Sequence, residues 1–265
     1  MTLPATTEMG QGATTVLLLH GIGGDRSLWL DKASGTLRAI ADAGMRAVAV
    51  DLPGYGDSVD LGPPGMDVFV AALHTLIAAL APQRTVLLGH SMGGMVAQEM
   101  VARDPARVQG LVLTCTSTSF GRTDGAWQAQ FVAERLAPLE AGLGMAGMAA
   151  RLVPGLVSPA APAAAQQIAR EVMARVPERS YRAALRAIAG FDRRTALSDI
   201  RVPTLLLAGE HDRTAPPEVM QRMAARIAGS EFQCLARAGH IANVEAPTAF
   251  NAAVVSFLRR RFQAD

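Results

Sequence analysis

Three residues of this chain, Ser91, Asp212 and His240, have the side-chain types that together carry out nucleophilic acyl transfer. A serine hydroxyl is a weak nucleophile at neutral pH, so an imidazole must take its proton and a carboxylate must orient that imidazole. Gly89 and Gly93 flank Ser91 in the spacing G-x-S-x-G, which is typical of a sharp strand-to-helix turn with the serine exposed at its tip. The pattern predicts that Ser91 is a catalytic nucleophile.

The proposed base and acid follow later apolar runs. Asp212 lies in a loop after the run at residues 204–207, and His240 lies between a weaker strand pattern and the last helical pattern. Glu210 is the closest rival for the acid because it lies on the same loop as Asp212, and Asp57 is a more distant one. We therefore expect a Ser91, His240 and Asp212 triad.

The composition limits the function classes. A chain of 265 residues is long enough for one large α/β domain, and a net charge of +2 with scattered arginines argues against nucleic-acid binding. Cys115 and Cys234 lie far apart in apolar stretches, which is typical of buried thiols in a reducing compartment rather than of a disulfide framework. Residues 1–15 lack a signal-peptide pattern, and no apolar run approaches the roughly 20 residues of a membrane span. We expect a soluble cytoplasmic protein.

The elements that must position the triad are visible as alternating patterns. Near-continuous aliphatic strands that alternate with helices predict a parallel sheet covered on both faces. The predicted strands are residues 15–19, 45–50, 85–88, 110–114, 204–207 and 231–235. The predicted helices outside the insert are residues 29–43, 67–81, 91–103, 216–227 and 246–261.

Residues 117–199 interrupt this alternation. They are rich in alanine, arginine, methionine and proline and show no convincing strand, so we expect a helical cap inserted between two strands, with residues 1–116 and 200–265 as the core domain. The predicted parts of the insert are helical patterns at residues 124–148, 163–176 and 178–189 and a turn-rich piece at residues 154–162.

With these motifs in place, the chain resembles the α/β-hydrolase superfamily, in its esterase, enol-lactonase and haloperoxidase-like branch. The likeness covers residues 17 to about 258, and the order serine, aspartate, histidine is the order of that fold. The resemblance rests on Leu19-His20-Gly21-Ile22-Gly23-Gly24, the turn at residues 51–58, the serine motif, Gly209-Glu210-His211-Asp212 and Gly239-His240. It implies a mostly parallel sheet flanked by helices with an inserted cap.

The resemblance also implies the remaining site residues. The backbone amides of Ile22 and Met92 are the expected donors to the oxyanion, and His20 is expected to support the loop that carries Ile22. The cap should cover an acyl pocket. The candidate pocket residues are His90, Trp127, Phe131 and Ile241. The arginines that could recognise an acidic substrate, or form a solvated face, are Arg182, Arg186, Arg193 and Arg194.

The expected activity is hydrolysis of small to medium carboxylic esters through an acyl-enzyme. No H-E-x-x-H, P-loop or dinucleotide-binding motif is present in the sequence, so we expect neither a metal nor a cofactor. The expected partner is a small-molecule ester or lactone, with no nucleic acid and no membrane.

Three alternatives remain open. Residues 238–247 are similar to 3-oxoadipate enol-lactonases, although His20-Gly21 departs from their oxyanion loop. Perhydrolysis by the same triad and non-catalytic ligand binding on this fold are the others. The assembly is expected to be a monomer or a homodimer. Only about fifteen residues precede the first parallel strand, so we expect a sheet shortened at that edge, whose exposed edge strand is covered by residues 1–14 or by a second subunit.

Overall fold

A mostly parallel β-sheet forms the centre of the molecule in this computed structural model, which describes residues 2–62, 65–121 and 125–263. Within these residues the sheet has seven strands in the order β1-β3-β2-β4-β5-β6-β7, and only β1 is antiparallel to its neighbour. The strands are β1 (Thr6–Met9), β2 (Thr14–Leu19), β3 (Arg46–Val50), β4 (Arg84–His90), β5 (Gly110–Thr114), β6 (Thr204–Gly209) and β7 (Glu231–Leu235). The predicted fold class is confirmed.

Helices cover both faces of this sheet, which explains the aliphatic runs of the inner strands: every residue of β2, β5 and β6 is buried. Helices α1 and α10 share one apolar cluster with that sheet, while α2, α3 and α8 share the other. The helices are α1 (Thr36–Asp42), α2 (Met66–Leu80), α3 (Met92–Arg103), α4 (Ala126–Glu140), α5 (Gly144–Leu156), α6 (Ala163–Arg175), α7 (Glu178–Ala189), α8 (Pro217–Ala224), α9 (Ala242–Glu245) and α10 (Pro247–Phe262).

The edge next to β3 is covered by the chain itself. Strand β1 pairs antiparallel with β3, with Thr6 opposite Val50 and Met9 opposite Ala47. Of the two expected covers for this edge, the one supplied by residues 1–14 is the one present. The backbone groups of β3 are therefore paired on both sides, by β1 and by β2.

Two helical predictions were wrong in extent. Of residues 29–43, Trp29 ends a 3-10 helix that begins at Arg26, and only Thr36–Asp42 is α-helical, as α1. Gly35, in the left-handed conformation (φ 63°), immediately precedes α1. The predicted stretch 124–148 divides into α4 and α5, because Gly142 and Gly144 also have positive φ. Position 124 itself lies outside the described residues.

The turn-rich piece predicted at residues 154–162 begins later than expected. Pro154 lies in the last turn of α5, which continues to Leu156. A proline there removes only one backbone donor from the end of the helix. Helices α4 to α7 all lie between β5 and β6, where the insert was expected.

The predictions for the two cysteines and for membrane-spanning segments can also be compared with the structure. Cys115 and Cys234 are both free rather than joined in a disulfide, as predicted. Cys115 is buried as expected, but Cys234 is exposed, because it lies on the edge strand β7, so the prediction of burial was wrong for Cys234. Within the described ranges, no helix combines the length and apolar character needed to cross a lipid bilayer.

Candidate active site

The turn between β4 and α3 holds Ser91 in a strained conformation. Its φ of 52° and ψ of −115° lie outside the regions that a serine ordinarily adopts. Close backbone contacts on either side require glycine. A Cβ at Gly93 would lie 2.3 Å from the carbonyl oxygen of Leu19, and one at Gly89 would lie 2.4 Å from that of Gly93. The G-x-S-x-G spacing therefore reflects close packing of this turn.

The structure brings Ser91, His240 and Asp212 into one hydrogen-bonded series. His240 Nδ1 lies 2.8 Å from Asp212 Oδ2, and its Nε2 lies 3.0 Å from Ser91 Oγ. A carboxylate can only accept, so Nδ1 carries the proton and donates it to Asp212. The Nε2 atom of His240 is consequently the acceptor for the Ser91 hydroxyl.

Asp212 is a buried carboxylate that stays ionised. Burial opposes its ionisation, but the electrostatic interaction and hydrogen bond with His240 and the backbone donors lower its pKa overall. Its Oδ1 accepts from the amides of Thr214, at 2.7 Å, and Ala215, at 3.0 Å. The ionised side chain is therefore fixed at both oxygens.

The two rival acids lie elsewhere. Glu210 is half exposed and accepts a hydrogen bond from the amide of Arg237 at 2.8 Å. Asp57 is largely exposed and pairs with Arg26. Neither carboxylate contacts His240, so the geometry favours Asp212 among the candidates.

A second buried carboxylate, Glu245, holds the loop around His240. Its oxygens accept from the amides of Gly239 at 2.9 Å and Ile241 at 3.0 Å, the two neighbours of His240. They also accept from the amide of Ser158 at 2.7 Å, just beyond α5. Burial raises the pKa of Glu245. Sequence reasoning missed this residue, although an acid within the apolar segment 241–247 is a usable signal.

His90 is buried beside the triad. Its Nε2 donates to the backbone carbonyl oxygen of His240 at 2.8 Å, and the two rings lie 5.1 Å apart. Burial, with a smaller contribution from the charge of His240, lowers the pKa of His90 to about 3, so its imidazole is neutral. His90 therefore packs inside the fold and also lines a cavity over Ser91.

His20 supports the loop that carries Ile22. Its Nδ1 donates to the carbonyl of Gly21 at 2.8 Å, and its Nε2 accepts from the amide of Leu52 at 3.1 Å. The side chain is fully buried, and burial lowers its pKa. These contacts use both ring nitrogens within the fold.

The two predicted oxyanion donors flank Ser91. Met92 is the first residue of α3, and Ile22 lies in the turn closed by the hydrogen bond from Gly24 N to Gly21 O at 3.1 Å. In the described part of the chain, neither the Ile22 amide nor the Met92 amide donates to another group. Neither amide is therefore occupied by an acceptor within the described fold, and the oxyanion role of both remains a prediction.

A mostly apolar cavity of about 990 Å³, including its solvent-open mouth, lies over the triad. Of the predicted pocket residues, His90, Phe131 and Ile241 line this cavity. Trp127 does not; its ring stacks against Phe131 at a centroid distance of 5.3 Å, behind the cavity wall. The other lining residues include Leu28, Met95, Phe120, Arg135, Leu152, Leu156, Met173, Tyr181, Leu185 and Ile188.

The arginines considered from the sequence lie away from this cavity. Arg182 pairs with Glu178 and Glu140, and Arg186 is exposed. Arg193 pairs with Glu99 and Arg194 with Asp192.

The arginine that does line the cavity is Arg135, which sequence reasoning missed. It lies four positions after Phe131 on α4. This i, i+4 spacing places two side chains on one helix face, so a predicted pocket residue at 131 could have indicated 135 as well.

The chain is similar in sequence to a family of known proteins. The model of the "Alpha/beta hydrolase family" matches residues 16–253. A relative from Variovorax paradoxus, named "Putative carbamate hydrolase RutD", is 33% identical, covering 92% of this chain and 91% of that protein. The pimeloyl-[acyl-carrier protein] methyl ester esterase of Pectobacterium atrosepticum is 29% identical, over 94% of this chain and 95% of that protein.

Solved structures of similar proteins agree with the fold. An esterase from Thermogutta terrifontis superposes with a TM-score of 0.85 at 29% identity, covering 98% of this chain and 94% of that one. The enol-lactonase from Burkholderia xenovorans LB400 superposes with a TM-score of 0.83 at 25% identity, covering 96% and 95%.

Proposed function

The chain belongs to the α/β hydrolase family, and from this premise we propose that it is a serine hydrolase that cleaves carboxylic esters of small to medium acyl chains. The observation that carries the proposal is the series from Ser91 Oγ through the His240 ring to Asp212, with contacts of 3.0 and 2.8 Å. Relatives named as esterases support the same reaction class.

The first half-reaction forms an acyl-enzyme. Ser91 Oγ attacks the ester carbonyl carbon while its proton passes to His240 Nε2, and ionised Asp212 stabilises the imidazolium that results. The C–O bond to the alcohol then breaks, and the alcohol leaves with the proton from His240.

Deacylation repeats these steps with water. His240 takes a proton from the water, the hydroxide attacks the acyl carbon, and Ser91 recovers its proton as the acid leaves. The amides of Ile22 and Met92 stabilise the oxyanion in both half-reactions. One such donor typically contributes about 2.7–4 kcal/mol to transition-state stabilisation.

The cavity supports an apolar acyl substituent. Its walls are mainly aliphatic and aromatic, contributed by the core and by helices α4 to α7, which we propose as the cap domain at residues 117–199. Burial of methylene groups against such walls stabilises bound substrate by about 0.8 kcal/mol each.

The test is hydrolysis of p-nitrophenyl esters from acetate to decanoate by the wild type and by Ser91→Ala. We expect the wild type to hydrolyse short and medium esters and Ser91→Ala to lose the activity while it keeps its melting temperature. Wild-type protein inactive on the whole series, or Ser91→Ala as active as wild type, would overturn the proposal. The matched control is Ser256→Ala, on the exposed side of α10.

A lactone is the second candidate substrate, since it is an ester whose alcohol stays attached to the acyl group. The structural likeness to the enol-lactonase from Burkholderia xenovorans favours it specifically. The same Ser91, His240 and Asp212 steps open the ring. An assay with an enol-lactone beside the linear esters decides between them.

A further inference from the structure

One charged side chain stands out in the wall of the cavity. Among the lining residues in the described part of the chain, Arg135 alone has a permanent charge; the others are apolar, neutral polar or histidine. It is on α4, in the cap wall of the cavity, whereas Ser91 is in the wall formed by the strand ends. A cation within apolar walls is costly unless an anion pairs with it.

No carboxylate of the described residues supplies that anion. The acidic side chains of the neighbouring cap helices have other partners. Glu178 and Glu140 pair with Arg182, and Glu134 accepts from Gln130 at 2.8 Å. The charge of Arg135 is thus left without an internal counter-ion in the part of the chain that the structure describes.

The guanidinium is held in place by neutral groups instead. It lies over the ring of Phe131, with the guanidinium carbon 5.1 Å from the ring centroid. It also lies beside the buried Tyr181; burial raises the pKa of that phenol, and the charge of Arg135 opposes the rise. A planar guanidinium fixed in this way can bind both oxygens of a carboxylate without losing much side-chain freedom.

We propose that Arg135 binds a free carboxylate on the acyl part of the substrate, so that the preferred substrates are monoesters of dicarboxylic acids. The inference rests on the proposed ester hydrolysis and adds the substrate class to it. The scissile ester lies at Ser91, the methylene chain lies along the apolar walls, and the carboxylate lies at the cap wall.

The test compares matched ester pairs. The acids are succinate, glutarate, adipate and pimelate as monomethyl esters, each assayed beside the methyl ester of the uncharged acid of equal length. We expect the wild type to favour the charged ester of at least one length by about tenfold or more in kcat/KM, in line with one charge-assisted hydrogen-bonded pair. The preference should weaken as salt is raised.

Variants separate charge recognition from folding. Arg135→Gln should remove the preference by lowering kcat/KM far more for the charged member of each pair than for the uncharged member, and Arg135→Lys should restore part of the preference. The control Arg151→Gln removes the same charge from an exposed position on α5 and should keep the preference. Equal loss on both members of every pair in Arg135→Gln, or a wild type that hydrolyses both members of every pair without a preference, would overturn the inference.

Binding without hydrolysis distinguishes the two proposals. Calorimetry with adipate and Ser91→Ala should detect binding that is lost when Arg135→Gln is added. If the wild type hydrolyses neither ester while adipate binding depends on Arg135, ester hydrolysis fails and the carboxylate site stands. If uncharged esters are hydrolysed and adipate binding is the same with and without Arg135→Gln, the carboxylate site fails alone.

Discussion

His90 donates a hydrogen bond from Nε2 to the backbone carbonyl oxygen of His240 at a distance of 2.8 Å. His90, which directly precedes the proposed nucleophile Ser91, therefore contacts the proposed base His240, through a bond that joins β4 to the loop before α9. Since both rings are buried, this bond fixes the position of His240 relative to Ser91.

Loss of that donor should slow catalysis without weakening substrate binding. We expect His90→Leu to lower kcat by about tenfold to a hundredfold, because small displacements of a reacting group have effects of this size. KM should change little. His90→Gln, which keeps a donor at a similar reach, should recover part of the rate. Steady-state kinetics on the best ester would measure this, and wild-type kcat in His90→Leu would contradict it.

The identity of the acid can be tested by a pair of amide substitutions. Asp212→Asn should keep the geometry but favour the wrong His240 tautomer, with a loss on the order of 10⁴ in kcat. Glu210→Gln makes the same change on the same loop, at a side chain that contacts Arg237 rather than His240, and should leave kcat unchanged. The reverse result would assign the acid to Glu210.

Glu245 should contribute strongly to stability. Glu245→Ala would leave the buried amides of Ser158, Gly239 and Ile241 without an acceptor, and each unpaired group costs about 1–3 kcal/mol. We expect the free energy of unfolding to fall by about 3 kcal/mol or more in urea titrations.

Two variants control for this result. Glu245→Gln keeps an acceptor oxygen and should lose less. Glu171→Ala, on the exposed face of α6, should change the free energy of unfolding by at most about 0.5 kcal/mol. Equal stability of Glu245→Ala and the wild type would show that the hydrogen bonds from the three amides to Glu245 are not needed for folding.

Stability should decrease in acid because of His90. In the folded state its pKa is about 3, against 6.5 when unfolded, so between these values only the unfolded chain takes up the proton. The free energy of unfolding therefore falls as pH falls from about 6.5 toward 3, and the contribution is complete above 6.5. His20, whose pKa is also lowered by burial, acts in the same direction.

The measurement is urea denaturation of the wild type and His90→Gln at a series of pH values from neutral to mildly acidic. The variant should show a smaller decrease than the wild type. Other groups, such as Glu245 with its raised pKa, are common to both proteins and cancel in the difference. If the free energy of unfolding fell equally with pH in both proteins, the decrease could not be attributed to His90.

Much of the fold follows from local patterns. The strands from β2 to β6 agree with their predicted positions, because runs of aliphatic residues with helical patterns between them suit strands buried on both faces. Strand β7 also lies where its weaker pattern predicted it, although only Leu235 of its five residues is buried. Helix α7 matches its prediction from Glu178 to Ala189, because Pro177 immediately precedes it and Gly190 follows it. The break between α4 and α5 was not apparent, since Gly142 and Gly144 reveal their positive φ only in the folded chain.

The candidate site also has one part that local sequence predicts and another that depends on the folded chain. Residue type and spacing alone led to the prediction of Ser91 as the nucleophile, because the turn that holds it depends on glycines within two positions on either side. The contacts of His240 could not be read locally: it is 149 positions from Ser91 and 28 from Asp212.

Glu245 and Arg135 show most clearly what tertiary packing decides. In the sequence each is one charged residue among many. Only in the folded chain does Glu245 accept hydrogen bonds from three backbone amides and does Arg135 lie in the apolar wall of the cavity. Burial and the loss of water around a charge determine what that charge does. Both quantities depend on elements far apart in the chain, so the residue types determine which chemistry is possible and the packing determines which groups take part.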